Sequence, residues 1–219
     1  MINEIIILVM ELIGTVSFAV SGALAAIGCG LDIFGVVTVG CVTAVGGGIM
    51  RDLIIGNIPP KIFSNPIILL VAVVTTLVVF IVAYIYRNKF KRFRTKIEAF
   101  NVFFDALGLG AFSITGVEIV CISSYRHNAL LAITLGVITG VGGGIIRDVL
   151  VNEKPYVLIK HIYAVVSILG CCLYYLVGVY LGYEVFATIF VLIFTVVMRL
   201  LAARFHWSLP KIKFLEADM

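Results

Sequence analysis

This sequence predicts an all-α integral membrane protein with seven transmembrane helices, six of them forming two inverted three-helix repeats. Three observations predict it. Of the 219 residues, 62% are hydrophobic and 13% charged, against about 45–50% apolar and roughly 25% charged in a soluble domain. The apolar residues fall in continuous runs suited to helices, without the alternation of barrel strands. One ten-residue stretch also occurs twice, at an offset of 96.

A helix that crosses the hydrocarbon needs about 20 residues. Runs of that size lie at 4–28, 32–57, 65–86, 99–122, 128–152, 157–182 and 184–205. The first run has no basic residue before it and carries Glu4 and Glu11, so it reads as a retained span and not as a cleaved signal. Six of the 16 Lys and Arg residues fall in the connection 87–96 (Arg87, Lys89, Lys91, Arg92, Arg94, Lys96). Lys154, Lys160, Arg199, Arg204, Lys211 and Lys213 fall on the same side of a seven-span chain, and only Lys61 and Arg126 on the other. Twelve against two puts the N-terminus outside and the C-terminus in the cytoplasm. The basic connection itself reads as a topology determinant with affinity for anionic lipid.

The repeat has two parts. TAVGGGIMRD (43–52) and TGVGGGIIRD (139–148) share eight of ten residues. A weaker echo at an offset of 94 pairs ELIGTVSFAVSG (11–22) with DALGLGAFSITG (105–116). Each unit holds three spans, an odd number, so the second must run inverted. This divides the chain into a first repeat (1–86), a basic cytoplasmic loop (87–98), an inverted second repeat (99–182) and a seventh helix with a tail (183–219). Inverted repeats with interrupted helices are a signature of transport proteins, with the path at the repeat interface.

Glycine costs about 1 kcal/mol relative to alanine inside a helix. The triplets Gly46, Gly47, Gly48 and Gly142, Gly143, Gly144 therefore predict kinked or unwound backbone near mid-membrane in spans 2 and 5, lining a path. Close packing is the competing reading: Gly40, Ala44 and Gly48, like Gly136, Gly140 and Gly144, are spaced four apart as in small-residue helix contacts. Packing alone leaves unexplained why Arg and Asp follow both triplets at one distance.

An arginine or aspartate near the bilayer centre costs several kcal/mol unless paired or hydrated. Arg51 and Asp52 point about 100° apart on a helix, so each is expected to pair with another helix, as are Arg147 and Asp148. The two aspartates also suit the N-terminus of a half-helix resuming after the glycines. Inversion puts Arg51 in the outer half of the membrane and Arg147 in the inner half. A cation path past them requires neutralisation by Asp52, Asp148, Glu11, Asp105 or Glu118; the alternative is a pair of structural ion pairs. Glu11 and Asp105 occupy equivalent repeat positions. Ser17, Ser21, Thr43, Ser113, Thr115 and Thr139 offer hydroxyls to a wet path, or bond back to their own helices.

Other chemistry finds no support. The five cysteines form no CxxC or Cys/His pattern and read as packing residues. The three histidines lack metal-ligand spacing, so no cofactor or metal is expected, and in a membrane chain a net charge of +4 does not indicate nucleic acid. No H-E-x-x-H, G-x-S-x-G or Walker-type motif occurs, so no enzyme activity is expected.

Seven spans, two inverted repeats and paired GGGxxRD motifs resemble the prokaryotic branch of the TRIC (trimeric intracellular cation) channels over roughly residues 4–205. The resemblance implies a homotrimer in the plasma membrane of a prokaryote, in contact with membrane lipids. It also implies a pore within each protomer, lined by spans 1, 2, 4 and 5, broken at the glycine triplets and conducting monovalent cations, chiefly potassium, with sodium as a further permeant ion. Repeats of this type also carry a glycine-transporter label, which keeps a carrier for glycine or another small amino acid as the alternative. The basic phosphoinositide-contacting motif of animal members has no clear match in EAFNVFFDALGLG (98–110).

Overall fold

The computed structural model describes residues 2–87, 94–159, 162–205 and 207. Within them the chain forms α1 (Ile2–Gly28), α2 (Ile33–Ile55), α3 (Lys61–Ser64), α4 (Ile67–Ile85), α5 (Arg94–Cys121), α6 (Ala129–Leu150), α7 (Tyr156–Ile159), α8 (Tyr163–Tyr174) and α9 (Glu184–Arg204). A π-helical stretch, Tyr175–Tyr180, prolongs α8. Among the described residues, seven helices are long and apolar enough to cross a membrane: α1, α2, α4, α5, α6, α8 with its extension, and α9. The other two, α3 and α7, are short helices in the loops that follow α2 and α6.

Most spans match the apolar runs to within a few residues. The sixth does not. Its run at 157–182 is divided by Lys160 and His161, and Ile162 takes a left-handed conformation (φ 48°), so the crossing helix starts only at Tyr163. The fourth span begins early, at Arg94, which makes the last part of the basic connection helical. Residues 88–93 of that connection lie outside the described residues.

Four helices, α1, α2, α5 and α6, pack on one another as the centre of the bundle. On one flank α4 lies against α1 and α2; on the other α8 lies against α5 and α6. The two repeats are thus matched in packing as well as in sequence. The remaining helix, α9, sits against α5 and α8 and has no equivalent in the first repeat. Much of α4 is exposed, with Leu70, Val74 and Val78 each more than half accessible, as suits a helix facing lipid or a partner.

The helix ends repeat as well. Gly56 (φ 84°) and Asn152 (φ 59°), 96 residues apart, both turn the chain through the left-handed region after α2 and α6. Asn57 N–H then bonds back to Asp52 O, and Glu153 N–H to Asp148 O, each at 2.8 Å.

The expectation of unwound backbone at the glycines is not met. Both α2 and α6 run uninterrupted through Gly46–Gly48 and Gly142–Gly144. The reason is the crossing of these two helices. A Cβ on Gly47 would land on the Thr139 carbonyl oxygen, and one on Gly143 on the Thr43 carbonyl oxygen. The outer pair is matched too: Gly46 faces Ile146, and Gly142 faces Met50. Glycine here permits backbone-to-backbone approach, which offsets its low helix propensity.

Candidate functional site

We call the side of the bundle where α1 starts the N-side and the opposite one the C-side. Each GGGxxRD motif builds a charged cluster on its own side. On the N-side, Arg51 Nη1 lies 3.0 Å from Glu11 Oε1 and its Nε donates to Asp52 Oδ1 at 2.9 Å. On the C-side, Arg147 Nη1 donates to Asp105 Oδ1 at 2.7 Å and Nε to Asp148 Oδ1 at 2.8 Å. The repeat positions of Glu11 and Asp105 thus become equivalent partners. The expected partners on another helix are present, and the expectation that they replace the sequence neighbour is corrected: each arginine bonds the adjacent aspartate as well, through Nε.

The aspartates do not cap resumed half-helices, since α2 and α6 never stop at the glycines. Asp52 Oδ2 instead accepts Lys61 N–H at 2.9 Å, and Asp148 Oδ2 accepts Tyr156 N–H at 2.7 Å. Lys61 and Tyr156 are the first residues of α3 and α7, and each follows a proline. Each aspartate therefore ties its arginine to the loop that folds back beneath it. Burial of Arg51 (2% accessible) and Arg147 (1%) is sustained by these partners; removing one leaves an uncompensated charge.

A cavity opens beside each cluster. The N-side cavity, about 180 Å³, is lined by Glu11, Thr15, Gly48, Ile49, Arg51, Asp52 and Phe112, among others. The C-side cavity, about 540 Å³, is lined by Leu24, Ala25, Cys29, Arg87, Asn101, Arg147, Asp148 and Glu153, among others. The two share no lining residue.

Along α1, Phe18 lies between Thr15 of the N-side cavity and Leu24 of the C-side cavity, and it meets Phe112, which lines the N-side cavity. Phe18 and Phe112 meet with ring centroids 5.2 Å apart and are buried. Each ring covers a glycine of the other helix: Phe18 lies on Gly108, and Phe112 on Gly14. Phe18 also reaches Gly143, within 3.0 Å of where its Cβ would stand. These aromatics do not follow from charge or motif reasoning. The weaker repeat carries the signal, since Phe18 and Phe112 align within it, as do Gly14 and Gly108.

The hydroxyl candidates scatter. Ser21 Oγ accepts from Arg147 Nη1 at 2.6 Å and belongs to the C-side cluster. Thr43 and Thr139 bond back to Val39 O and Leu135 O, both at 2.6 Å, and Thr115 to Phe112 O. Ser113 pairs with Ser167 of α8 at 2.9 Å. Ser17 and Thr15 are buried without a hydrogen-bond partner among the described residues.

Glu118 is not brought to either arginine. It lies 13 residues beyond Asp105, about 20 Å along α5, fully buried, with Tyr174 beside it and Arg126 and Glu184 as its charged neighbours. It neutralises neither Arg51 nor Arg147.

A further residue belongs to the C-side. Arg199, counted from sequence as a cytoplasmic charge, is 2% accessible inside the bundle. Its Nη2 stands 3.5 Å from Asp105 Oδ2, and its guanidinium stacks 4.2 Å over the Tyr163 ring. Its position near the end of α9 made it look like a loop charge, because hydropathy does not report which face of a helix a charge occupies. Without it the basic residues still divide eleven against two.

Seven helices able to cross a membrane, two matched repeats and paired cavities, each bordered by a charged cluster, define a repeat-built α-helical membrane protein. The chain belongs to the TRIC family. The family model described as glycine transporter matches residues 8–84 and 102–179, one segment per repeat. The inner membrane protein YadS of Escherichia coli is 36% identical over 205 residues, covering 92% of this chain and 93% of that protein. Among solved structures, a prokaryotic TRIC channel crystallised in 0.5 M KCl superposes with a TM-score of 0.80 at 34% identity, covering 92% of this chain and 98% of the other. The TRIC trimeric intracellular cation channel orthologue from Rhodobacter sphaeroides gives 0.78 at 28% identity, covering 91% and 97%.

Proposed function

We propose that this protein conducts monovalent cations, potassium foremost, along a path inside each protomer of a homotrimer in the bacterial inner membrane. The observation that carries this reading is the pair of cavities, one on each side, each bordered by an arginine ion-paired with two carboxylates, with the Phe18–Phe112 contact at the inner wall of the N-side cavity. An unpaired arginine would repel cations. Here Glu11 and Asp52 cancel Arg51 on one side, and Asp105 and Asp148 cancel Arg147 on the other, with Arg199 sharing Asp105. The Phe18–Phe112 layer then acts as the gate, shut in this conformation, because a dry hydrophobic constriction excludes hydrated ions. Cation conduction and the trimer are carried over from the solved relatives, and the inner membrane from YadS. The distribution of Lys and Arg supports an outward-facing N-side and a cytoplasmic C-side.

Purified trimers in planar bilayers under a KCl gradient should give unitary currents that reverse near the potassium equilibrium potential. Reversal near the chloride potential, or intact trimers that pass no current, would overturn the reading. The glycine-carrier alternative rests on the family description. Its binding device, half-helix N-termini freed at the triplets to hold a carboxylate, is missing among the described residues because α2 and α6 stay continuous. Saturable glycine uptake into liposomes without unitary currents would favour it.

A further inference from the structure

The two return helices begin at matched places but present different side chains. Asp52 Oδ2 accepts the backbone N–H of Lys61, and Asp148 Oδ2 that of Tyr156. The main chain therefore fixes each head residue, and its side chain is left for other work. Tyr156 lays its ring over Arg147, 5.6 Å from the guanidinium carbon, and adds no charge. Lys61 is exposed and borders the N-side cavity, so the first repeat has an ammonium where the second has a ring. Ile62 and Ser64 of α3 join Lys61 in that wall, whereas α7 gives the C-side cavity only Tyr156.

The charged residues lining the N-side cavity are Glu11, Arg51, Asp52 and Lys61. Arg51 is committed to Glu11 Oε1 and Asp52 Oδ1, and Asp52 Oδ2 to the Lys61 N–H. Among the described residues, no carboxylate lies within ion-pair distance of the Lys61 ammonium. The lining is thus neutral with Lys61 and would carry −1 without it.

We propose that Lys61 limits cation entry at the N-side cavity: its ammonium is a tethered cation that offsets Glu11 and competes with permeating potassium for that carboxylate. The proposal rests on the channel reading above. Glu11 is 18% accessible and pairs with Arg51 through one oxygen only. Lysine suits the role, because a compact charge on a flexible four-carbon stem can stand near Glu11 without locking it. A unit charge about 7 Å from an ion in water shifts its energy by about RT, so each unit removed should raise entry about two- to threefold.

The test is single-channel conductance of purified trimers in symmetric KCl at about 0.01 M and about 1 M, where the screening length is about 30 Å and about 3 Å. Lys61→Gln should conduct about two- to threefold better than the wild type at the lower concentration and nearly equally at the higher. Lys61→Glu should gain about as much again at the lower concentration. Lys61→Arg, which keeps the charge, should behave as the wild type. All three variants retain the backbone N–H that Asp52 holds, and size-exclusion chromatography checks the trimer. A change of side-chain shape alone would act at both concentrations. A Lys61→Gln variant that conducts like the wild type in dilute KCl, gains equally at both concentrations, or matches Lys61→Arg would overturn the proposal. Intact trimers that conduct nothing in any variant would instead overturn the channel reading on which it stands.

Discussion

The Arg51 and Arg147 clusters begin from one motif and end in different surroundings. Both arginines bond the aspartate that follows them, and both aspartates hold the first N–H of a short return helix. Beyond that the two diverge. Glu11 stays partly accessible at the edge of a cavity, whereas Asp105 is sealed beneath α8 and α9 by Arg199 and the Tyr163 ring, with Ser21 on the same Arg147 nitrogen. The motif dictates the local hydrogen bonds, and the helices packed behind it dictate the dielectric and the net charge. Repeat symmetry in sequence therefore does not imply equal energetics at the two sites.

Substitutions of the arginines should separate the clusters most. Arg147→Ala leaves buried Asp148 without a guanidinium and Asp105 with Arg199 alone, and should cost about 3–5 kcal/mol. Arg51→Ala should cost less, because water can reach Glu11. Denaturation of the detergent-solubilised variants reads the difference, and equal losses would erase the distinction drawn here.

The glycine crossing should behave in the opposite way, with its two halves alike. Gly47→Ala and Gly143→Ala each push a methyl group into a facing carbonyl and should each lose about 1–3 kcal/mol. At Gly48 the nearest atom to a new Cβ would be Arg51 Nη2 at 3.9 Å, so Gly48→Ala should gain up to about 1 kcal/mol from helix propensity. Thermal melting of the three variants checks the contrast.

Smaller effects on stability are expected at the aromatic layer. Phe18→Leu and Phe112→Leu nearly conserve volume and should cost less than about 1.5 kcal/mol, yet both should raise open probability in single-channel records. A change in one variant only would mean that the layer is not shared by the two repeats. Glu118→Gln should have the smallest effect on current, leaving conductance and selectivity as in the wild type, because its carboxyl lies between α5 and α8, away from both cavities.

Much of this was legible in the sequence for physical reasons. Continuous apolar runs report spans, the doubled TxVGGGIxRD reports two matched charged motifs, and the weaker repeat makes Glu11 and Asp105 equivalent among the candidate arginine partners. What was illegible depends on which face of a helix a residue occupies. Phe18 and Phe112 sit in apolar runs where an aromatic looks the same whether it meets lipid or the bundle axis. Arg199 lies one turn inside a helix end, where a charge that snorkels to water and one that turns inward have the same hydropathy. The helix cost of glycine favours a break, whereas the small-residue spacing favours close packing, and sequence does not say which helix stands opposite. Only the packed structure supplies the Thr139 and Thr43 carbonyls on the other side.

The central claim, two cavities entered from opposite faces and parted by the Phe18–Phe112 layer, can be tested most directly with thiol chemistry. In a cysteine-free background, Ile49→Cys sits on the N-side cavity and Ala25→Cys on the C-side cavity. In sealed vesicles of known orientation, a membrane-impermeant thiol reagent should reach Cys at 49 only from the N-side face and Cys at 25 only from the C-side face. Labelling of both positions from one face, in protein with Phe18 and Phe112 intact, would contradict the account.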